Sequence, residues 1–355
     1  MDFVLHLPVI GLMLQFLGYL VNVMGTNGQL IITLSTPIAL GALCGFMNER
    51  SGVVNIGIEG MMLFSAFVGW YVAALVYSAG PPPTPGPLGI TLPLMVGLLA
   101  ALVAGVAVSA LHAWLSITVR ANQIISGTII NIEALAITGY LNLLISQNPI
   151  PSAGNFQSFA VPQQAASIPV IGWILSTFVA HGPITLTMLV LVVVLQVLLF
   201  RSRWGLRTRA VGEHPRAAET LGIDVIRLRY RNVLLGGLLA GLAGAWFTLE
   251  YIGTFQGGMT NGRGYIALAA LIFGRWTPIG AFGAALVFGV ADALGQAVRF
   301  NPPTGDLGGF LSGVPEQVFS ALPYLVTIVV LAGVVGRSVP PAADGQPYER
   351  EAKAA

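Results

Sequence analysis

The fold is decided by RSRWGLRTRAVGEHPRAAETLGIDVIRLRYR at residues 201–231, which separates two long apolar runs at 183–200 and 232–252. Eight of the chain's 16 basic residues lie in this one stretch. Arginine-rich loops between membrane-spanning segments stay on the cytoplasmic side. The stretch is therefore predicted to be a cytoplasmic loop between two transmembrane helices, and it sets the orientation of the rest of the chain.

The composition of the whole chain points to a membrane protein. Of its 355 residues, 55% are hydrophobic and 8% are charged, whereas a soluble domain carries about 25% charged residues. In lipid, an open chain satisfies its backbone only as helices of about 20 apolar residues. We predict an all-α polytopic membrane protein with about 9–10 spanning or half-spanning helices. The candidate spans lie at residues 8–25, 28–47, 55–77, 91–118, 122–146, 183–200, 232–252, 277–298 and 315–336, with a half-span at 264–275.

Counting spans outward from the basic loop places both termini in the cytoplasm. Of the 16 basic residues, 14 then lie inside, and only Arg263 and Arg299 lie outside. The inner basic residues beyond the loop are Arg50, Arg120, Arg275, Arg337, Arg350 and Lys353. We predict one transmembrane domain over residues 1–338, which includes the loop 201–231. Residues 339–355, VPPAADGQPYEREAKAA, are predicted to form a disordered cytoplasmic tail.

Several kinds of site are excluded by the residues the chain lacks. A phosphate-binding G-x-x-x-x-G-K-[ST] loop requires a lysine after glycine, but the single lysine, Lys353, follows Ala352. The single cysteine, Cys44, allows no internal disulfide, and the four histidines show no metal-ligand spacing. A net charge of +2 gives no indication of nucleic-acid binding. We therefore predict no ATP site, no metal and no cofactor in this chain.

Polar residues within the predicted spans are candidates for lining a solute path: Asn55, Glu59, Asn131 and Asp292. An ionisable group inside a membrane segment is costly and usually faces a cavity or a partner. For Glu59 the alternative is a structural role, in which it pairs with Arg50 or caps backbone amides at the helix break. For Asn131 and Asp292 the alternative is hydrogen bonding between helices. The sequence leaves these alternatives open.

Glycine-rich interruptions at 46–62 and 251–280 are predicted to be irregular backbone at membrane depth. Broken helices in the two halves of a chain indicate a transport path, and irregular backbone in a membrane lines a cavity or is buried in protein. Small residues four apart, among them Gly237 with Gly241, predict close packing of helices. The main use of such pairs is packing within one bundle, and a dimer seam is the alternative.

A short helix is predicted inside the basic loop, from Pro215 to Leu221. Proline favours the first helical position, and Gly222 follows the predicted end. Glu213 precedes the helix, where a negative charge is favourable. Such a helix either rests on anionic lipid or docks another protein.

Four segments, in this order, resemble the inner-membrane permeases of bacterial ABC importers, in the subgroup shared by branched-chain amino acid, simple-sugar and nucleoside systems. They are ERSGVVNIGIEGMM at 49–62, ANQIISG at 121–127, GLRTRAVGEHPRAAETLGI at 205–223 and MTNGRGYIALAALIFGRWTPIGA at 259–281. The resemblance extends over about residues 28–337. The first and last segments look most like the nucleoside branch, whose members are often described as simple-sugar permeases.

The resemblance implies a multi-pass transport subunit of the bacterial inner membrane, not an enzyme. In this family two permeases, identical or paralogous, form the translocation path, and two separate cytoplasmic ATPases drive it. A periplasmic or lipid-anchored binding protein delivers the solute. Nucleosides or nucleobases are the first expectation for the solute, simple sugars the second and branched-chain amino acids the third. The family's coupling helix matches residues 212–222, which implies ATPase contacts at Glu213, Pro215, Arg216, Ala217, Ala218 and Gly222.

Two other classes of transport protein remain as alternatives. An ion-coupled secondary transporter would use Glu59, Glu133 or Asp292 as proton or sodium sites. A channel or membrane scaffold would need no ATPase. The energy source of uptake distinguishes these classes from an ATP-driven importer.

Overall fold

The computed structural model describes residues 8–81, 83–329 and 338–349. The described residues form helices and connecting segments, with no β-strand among them. The chain divides into two compact units. The first comprises Met1–Ser35, Ala160–His181 and Leu286–Gly336, and the second comprises Thr36–Phe159, Gly182–Ala285 and Arg337–Ala355.

The helices of the described residues are numbered here in chain order. They are α1 (Pro8–Thr26), α2 (Gly28–Glu49), α3 (Ile58–Ser78), α4 (Leu92–Ala113), α5 (Gln123–Ser146), α6 (Gln163–Ala166), α7 (Pro169–Phe178), α8 (Pro183–Arg201), α9 (Arg203–Glu213), α10 (Pro215–Thr220), α11 (Val225–Ala245), α12 (Arg263–Phe273), α13 (Pro278–Phe300), α14 (Asp306–Ser312), α15 (Glu316–Ser320) and α16 (Leu322–Val329). Wider π-helical turns, Trp114–Thr118 and Trp246–Tyr251, extend α4 and α11.

Seven helices of the described residues are long and apolar enough to cross a membrane, which confirms an all-α multi-pass protein. They are α2, α3, α5, α8 and α13, together with α4 and α11 in their extended forms. The half-span predicted at 264–275 is α12, whose 11 residues extend for about 16 Å. The span predicted at 315–336 is described only to Val329, where it forms the short helices α15 and α16.

One apolar helix appears where the sequence predicts no span. It is α7, which lies within the uncharged connection 147–182. Its 10 residues are about half of what a membrane crossing needs. The segment is therefore too short to be predicted as a full span. In the first unit, Trp173 of α7 donates a 2.9 Å hydrogen bond to the carbonyl of Gly25.

The second unit is built around α3, which packs against α4, α5 and α11, while α4 also packs along α11. Close approach of these backbones depends on small residues. A Cβ placed on Gly105 of α4 would lie 2.3 Å from the carbonyl oxygen of Gly237 and 2.8 Å from the Cα of Gly241. The Gly237 and Gly241 pair therefore serves helix packing within the chain, which is the first of the two uses predicted for it.

Residues 338–349 have defined contacts in the second unit. The Ser338 hydroxyl donates to the carbonyl of Ile272, the Ala343 amide donates to the carbonyl of Gly212, and Tyr348 is buried. The composition of 339–355 favours disorder, but it carries no information on partners elsewhere in the chain. These contacts place residues 338–349 against the rest of the second unit, and the disorder of residues 339–355 stays a prediction; residues 350–355 lie outside the described residues.

Candidate translocation and coupling sites

The break between α2 and α3 is the first candidate site. Helix α2 ends at Glu49 and α3 begins at Ile58, which leaves the backbone between them without helical partners. Side chains from neighbouring helices supply them: the Val54 amide donates to Gln123 Oε1 at 2.7 Å, and the Val54 carbonyl lies 3.0 Å from His112 Nε2. The break is thus held in place by α4 and α5.

Asn131 joins three of the segments singled out from the sequence. Its Oδ1 accepts a hydrogen bond from the Gly60 amide at 2.7 Å. Its Nδ2 donates to the carbonyl of Ile56 and to the hydroxyl of Tyr265, both at 2.9 Å. Both amide hydrogens are therefore used within the second unit. Asn131 is 8% exposed, so these bonds fix α5 to the break and to α12.

Glu59 caps a helix in the same cluster. Its carboxylate accepts hydrogen bonds from the amides of Gly262 at 2.8 Å and Gly264 at 2.6 Å, at the start of α12. Amides at a helix N-terminus are unpaired and carry positive partial charge, which favours a carboxylate. The backbone-capping alternative is thus observed for Glu59. Fully buried Asn55 makes a local bond of the same kind, since its Oδ1 accepts from the Gly57 amide at 2.9 Å.

Glu250 performs a similar role at α8, and none of the sequence motifs points to it. It accepts from the amides of Ile184 at 2.5 Å and Thr185 at 3.1 Å, and from the Thr185 hydroxyl at 2.6 Å. The signal that could have found it is a carboxylate within the apolar run WFTLEY at 246–251. Carboxylates therefore cap the N-termini of both α8 and α12.

Two acidic candidates have other surroundings. Asp292 lies on α13 in the first unit, where it is half-buried, whereas Asn55, Glu59 and Asn131 lie in the second unit. Glu133 lies on α5, about 15 Å along the helix from Gln123. Its side chain is exposed and makes no hydrogen bond or ion pair with any residue that the structure describes.

The basic loop forms the helices α9 and α10. As the sequence predicts, α10 starts at Pro215, and Gly222 follows its end with φ +79°, a conformation that costs glycine little. The six residues expected to contact an ATPase are presented differently. Glu213, Arg216, Ala217 and Gly222 are exposed, Pro215 is half-buried and Ala218 is buried. Leu221 is 82% exposed, a large apolar side chain at the tip of the loop.

Arg50 lies in the irregular segment 46–62 and connects it to the basic loop at 201–231 and to the irregular segment 251–280. Its Nε donates to the carbonyl of Trp276 at 2.8 Å, its Nη2 donates to the carbonyl of Arg275 at 3.3 Å, and its Nη1 lies 3.9 Å from Glu213 Oε1. Burial lowers the pKa of Arg50, and the charge of Glu213 opposes that shift. Trp276 in turn donates from its indole nitrogen to Glu49 at 2.6 Å.

The turn at Arg275 and Trp276 is strained. Both residues adopt left-handed backbone conformations, with φ of 53° and 50°, which are uncommon for non-glycine residues. The hydrogen bonds from Arg50 to both carbonyls hold the turn in this form. Through Arg50, the basic loop at 201–231 is therefore in contact with both irregular segments of the second unit.

Comparison with known proteins gives one consistent result. A family model described as the branched-chain amino acid transport system / permease component matches residues 29–331. The chain is 38% identical over 318 residues to the guanosine ABC transporter permease protein NupQ of Bacillus subtilis, covering 88% of this chain and 93% of NupQ. It is 37% identical over 318 residues to the nucleoside ABC transporter permease protein NupC of Lactococcus lactis, with the same coverage. It is 32% identical over 331 residues to the putative glucose ABC transporter permease protein TsgC13 of Haloferax volcanii, covering 89% of this chain and 95% of TsgC13.

Proposed function

Because the chain belongs to the branched-chain amino acid transport permease family, we propose that it forms the membrane path by which an ABC importer takes up a nucleoside or nucleobase. Its membership makes it a multi-pass permease subunit of the inner membrane, not an enzyme, and confirms the class predicted from its motifs. ATP hydrolysis belongs to a separate ATPase subunit, and a solute-binding protein serves the transporter.

The choice of solute rests on one observation. NupQ and NupC, whose names specify guanosine and nucleosides, are 38% and 37% identical to this chain over nearly its whole length. TsgC13, whose name specifies glucose, is 32% identical. This order supports a nucleoside or nucleobase first and a simple sugar second.

The identity of the solute would be tested by uptake into vesicles that contain the permease in a known orientation, together with its ATPase and its binding protein. We expect labelled guanosine or another nucleoside to enter, unlabelled nucleosides to compete, and glucose and leucine to leave uptake unchanged. The reason is that a site built to hydrogen-bond the polar groups of a nucleobase discriminates strongly against ligands that lack a base. Competition by glucose alone would move the assignment to sugars. Uptake that survives ATP depletion and collapses with an ionophore would instead indicate an ion-coupled secondary transporter.

The proposed ATPase contact is the solvent-exposed side of the loop at residues 201–231, called the coupling loop from here on. Glu213, Arg216, Ala217 and Gly222 are exposed there beside Leu221, and this mixture of charged and apolar groups suits a protein surface. Ala218 points into the loop's own core, so its role is to anchor α10. Arg50 and Arg275 lie at the same end of the second unit as the loop, which supports the proposal that this end is cytoplasmic; the count of spans then gives both termini a cytoplasmic position.

A second permease subunit, identical or paralogous, is proposed to cover one face of α5. This face exposes Ile129, Ile132 and Tyr140 together with the unpaired Glu133. Glu133 lies about half-way through a hydrocarbon core of about 30 Å if α5 starts at its edge. Lipid around a carboxylate at this depth costs a few kcal/mol. A carboxylate that faces a second subunit, with water between the two subunits, avoids that cost. Glu133 is therefore proposed to face the path at the subunit interface.

Thiol labelling of the assembled transporter would test the position of Glu133. In a Cys44→Ala background, Glu133→Cys is expected to react with a small, charged, water-soluble thiol reagent, because water reaches this face. The control is Val193→Cys on α8, a residue 59% exposed in this chain and expected to face lipid, where the thiol is not ionised and does not react. Equal reactivity of the two positions, or none at position 133, would contradict the proposal.

The other polar candidates are proposed to act in two ways. Asn55, Glu59 and Asn131 fix the irregular segments to each other through the hydrogen bonds described above, so they would shape the wall of the path. Asp292, half-buried on α13, is proposed as a residue that lines the path. Anionic lipid around the basic loop is the remaining expected partner.

A further inference from the structure

The C-terminal strap, defined here as residues 338–349, attaches to the coupling loop at several points. The Ala342 amide donates to Glu213 Oε2 at 3.1 Å, and the Ala343 amide donates to the carbonyl of Gly212 at 2.8 Å. The Tyr348 hydroxyl forms a short hydrogen bond with the carboxylate of Glu219. The strap therefore touches the loop both before α10 and within it.

The strap also completes the small hydrophobic core of the coupling loop. Tyr348, which is 8% exposed, packs with Val211, Ala218 and Val225. Helix α10 has only six residues, and a helix this short is not stable without tertiary contacts. Ala218 is its one buried residue, so the side on which α10 rests is formed in part by Tyr348.

The other attachments of the strap are to the membrane helices. The carbonyl of Gln346 accepts a 3.0 Å hydrogen bond from Arg229 of α11, whose guanidinium lies 5.8 Å from the centre of the Tyr348 ring. Glu349 pairs with Arg120, just before α5, at 2.7 Å. With Ser338 bonded to Ile272 of α12, the strap links the coupling loop to two helices of the second unit, α11 and α12, and to the segment just before α5.

A second route from α10 to α11 is covalent, through a link in which the Gly222 amide donates to the carbonyl of Glu219 and the Ile223 amide donates to the carbonyl of Ala218. Between α10 and α11 the chain passes through Gly222 and Ile223 to Asp224, and no helix runs through this link. Arg229 is 1% exposed, so the bonds that it makes to the strap are shielded from water and are stronger for that reason. A force applied to α10 would thus reach α11 through Tyr348 and Gln346 as well as through the connecting residues.

We propose that the C-terminal strap transmits movement of the coupling helix α10 to the membrane helices, so that ATP hydrolysis and solute movement are coupled only when the strap is in place. This proposal rests on the proposed function as an ATP-driven importer. It makes the coupling unit a three-part element of α10, the strap and the start of α11. Displacement of α10 moves all three parts together, because the strap is bonded to both helices and Ala218 of α10 packs with Val225 of α11.

Two shortened chains would test the strap in the complete transporter. A chain that ends at Pro340 loses the contacts of residues 341–349, whereas a control chain that ends at Glu349 keeps them. We expect the first to retain its ATPase in copurification but to lose solute-stimulated ATP hydrolysis and uptake by about tenfold or more, within the range of coupling between sites. The control is expected to match the full chain. Stimulation of the Pro340 chain equal to that of the full chain would overturn the proposal, and so would loss of ATPase binding, which would make the strap a docking surface.

Single substitutions decide the matter if the shorter chain does not fold. Tyr348→Ala removes the ring from the loop core and from Arg229, whereas Tyr348→Phe removes only the hydroxyl bond to Glu219. We expect the alanine variant to lose most of the solute stimulation and the phenylalanine variant to keep most of it, with equal yields of the purified transporter. Unchanged stimulation in both variants would overturn the proposal. Failure of the proposed function is separate, because the full chain itself would then show no ATP-dependent uptake.

Discussion

A Gly-Ser linker of equal length in place of residues 215–218 is expected to abolish solute-stimulated ATP hydrolysis and uptake, while the permease still inserts into the membrane. The replaced residues include most of α10 and its buried anchor, Ala218. Glycine in helix positions costs about 1 kcal/mol per residue relative to alanine, so the helix would not form. An ATPase could then move its own surface without moving the permease, and stimulation would fall by about 100-fold, near the upper end of measured coupling.

The matched control is the same linker in place of residues 350–353, which follow the C-terminal strap. This change is expected to leave stimulation and uptake at the level of the unmodified chain. Both variants should be compared for membrane yield and for copurification of the ATPase. Normal stimulation in the chain with the linker at 215–218 would remove the assignment of this segment as the coupling element.

Gly105→Ala is expected to destabilise the permease strongly, although alanine is the better helix former. A Cβ at this position would lie 2.3 Å from the carbonyl oxygen of Gly237. The obstacle is backbone, so no side-chain rotation relieves it and α4 must separate from α11. Overpacking of this kind costs about 1–3 kcal/mol or more, well above the helix propensity gained. Thermal unfolding of the detergent-purified protein would measure the effect. Unfolding is detected as the loss of the monodisperse peak in size-exclusion chromatography.

Gly283→Ala is the matched control for that substitution. Gly283 also lies within a long helix, α13, but a Cβ there would meet nothing within 4 Å. The gain of about 1 kcal/mol in helix propensity is then unopposed, so the control should unfold at the same temperature as the native chain or at a slightly higher one. Equal unfolding temperatures for both variants would show that α4 and α11 do not pack as closely as described.

Several parts of the fold follow from local sequence. The seven long apolar helices and the half-span α12 were each predictable, because the length and hydrophobicity of a membrane span are properties of one continuous segment. The ends of α10 were predictable for the same reason, since Pro215 and Gly222 act on the backbone at their own positions. The missing P-loop lysine predicted that this chain has no ATP site of its own.

The roles of the polar residues depended on contacts between distant positions. Glu59 is bonded to amides 203 and 205 residues away, whereas the sequence alone left open a place in the solute path, pairing with Arg50 and capping of backbone amides. Arg50 bonds instead to the turn at Arg275 and Trp276. Glu250 caps α8 from 65 residues away, and its place in an apolar run marks it as unusual without identifying its partner. A hydrogen-bond partner is selected by proximity in the folded chain, which spacing in the sequence does not encode.

By itself, the sequence determined that the chain is a helical membrane protein and where α10 lies, because scarce charges, continuous apolar runs and helix-end residues act locally. Only the tertiary structure decided that Glu59 and Asn131 hold the irregular segments together and that Tyr348 completes the core under α10. The composition of the C-terminal segment favours disorder, since its few apolar residues cannot form a core alone. Its described part contacts distant residues, since Tyr348 packs with Val211, Ala218 and Val225, and composition does not encode such contacts.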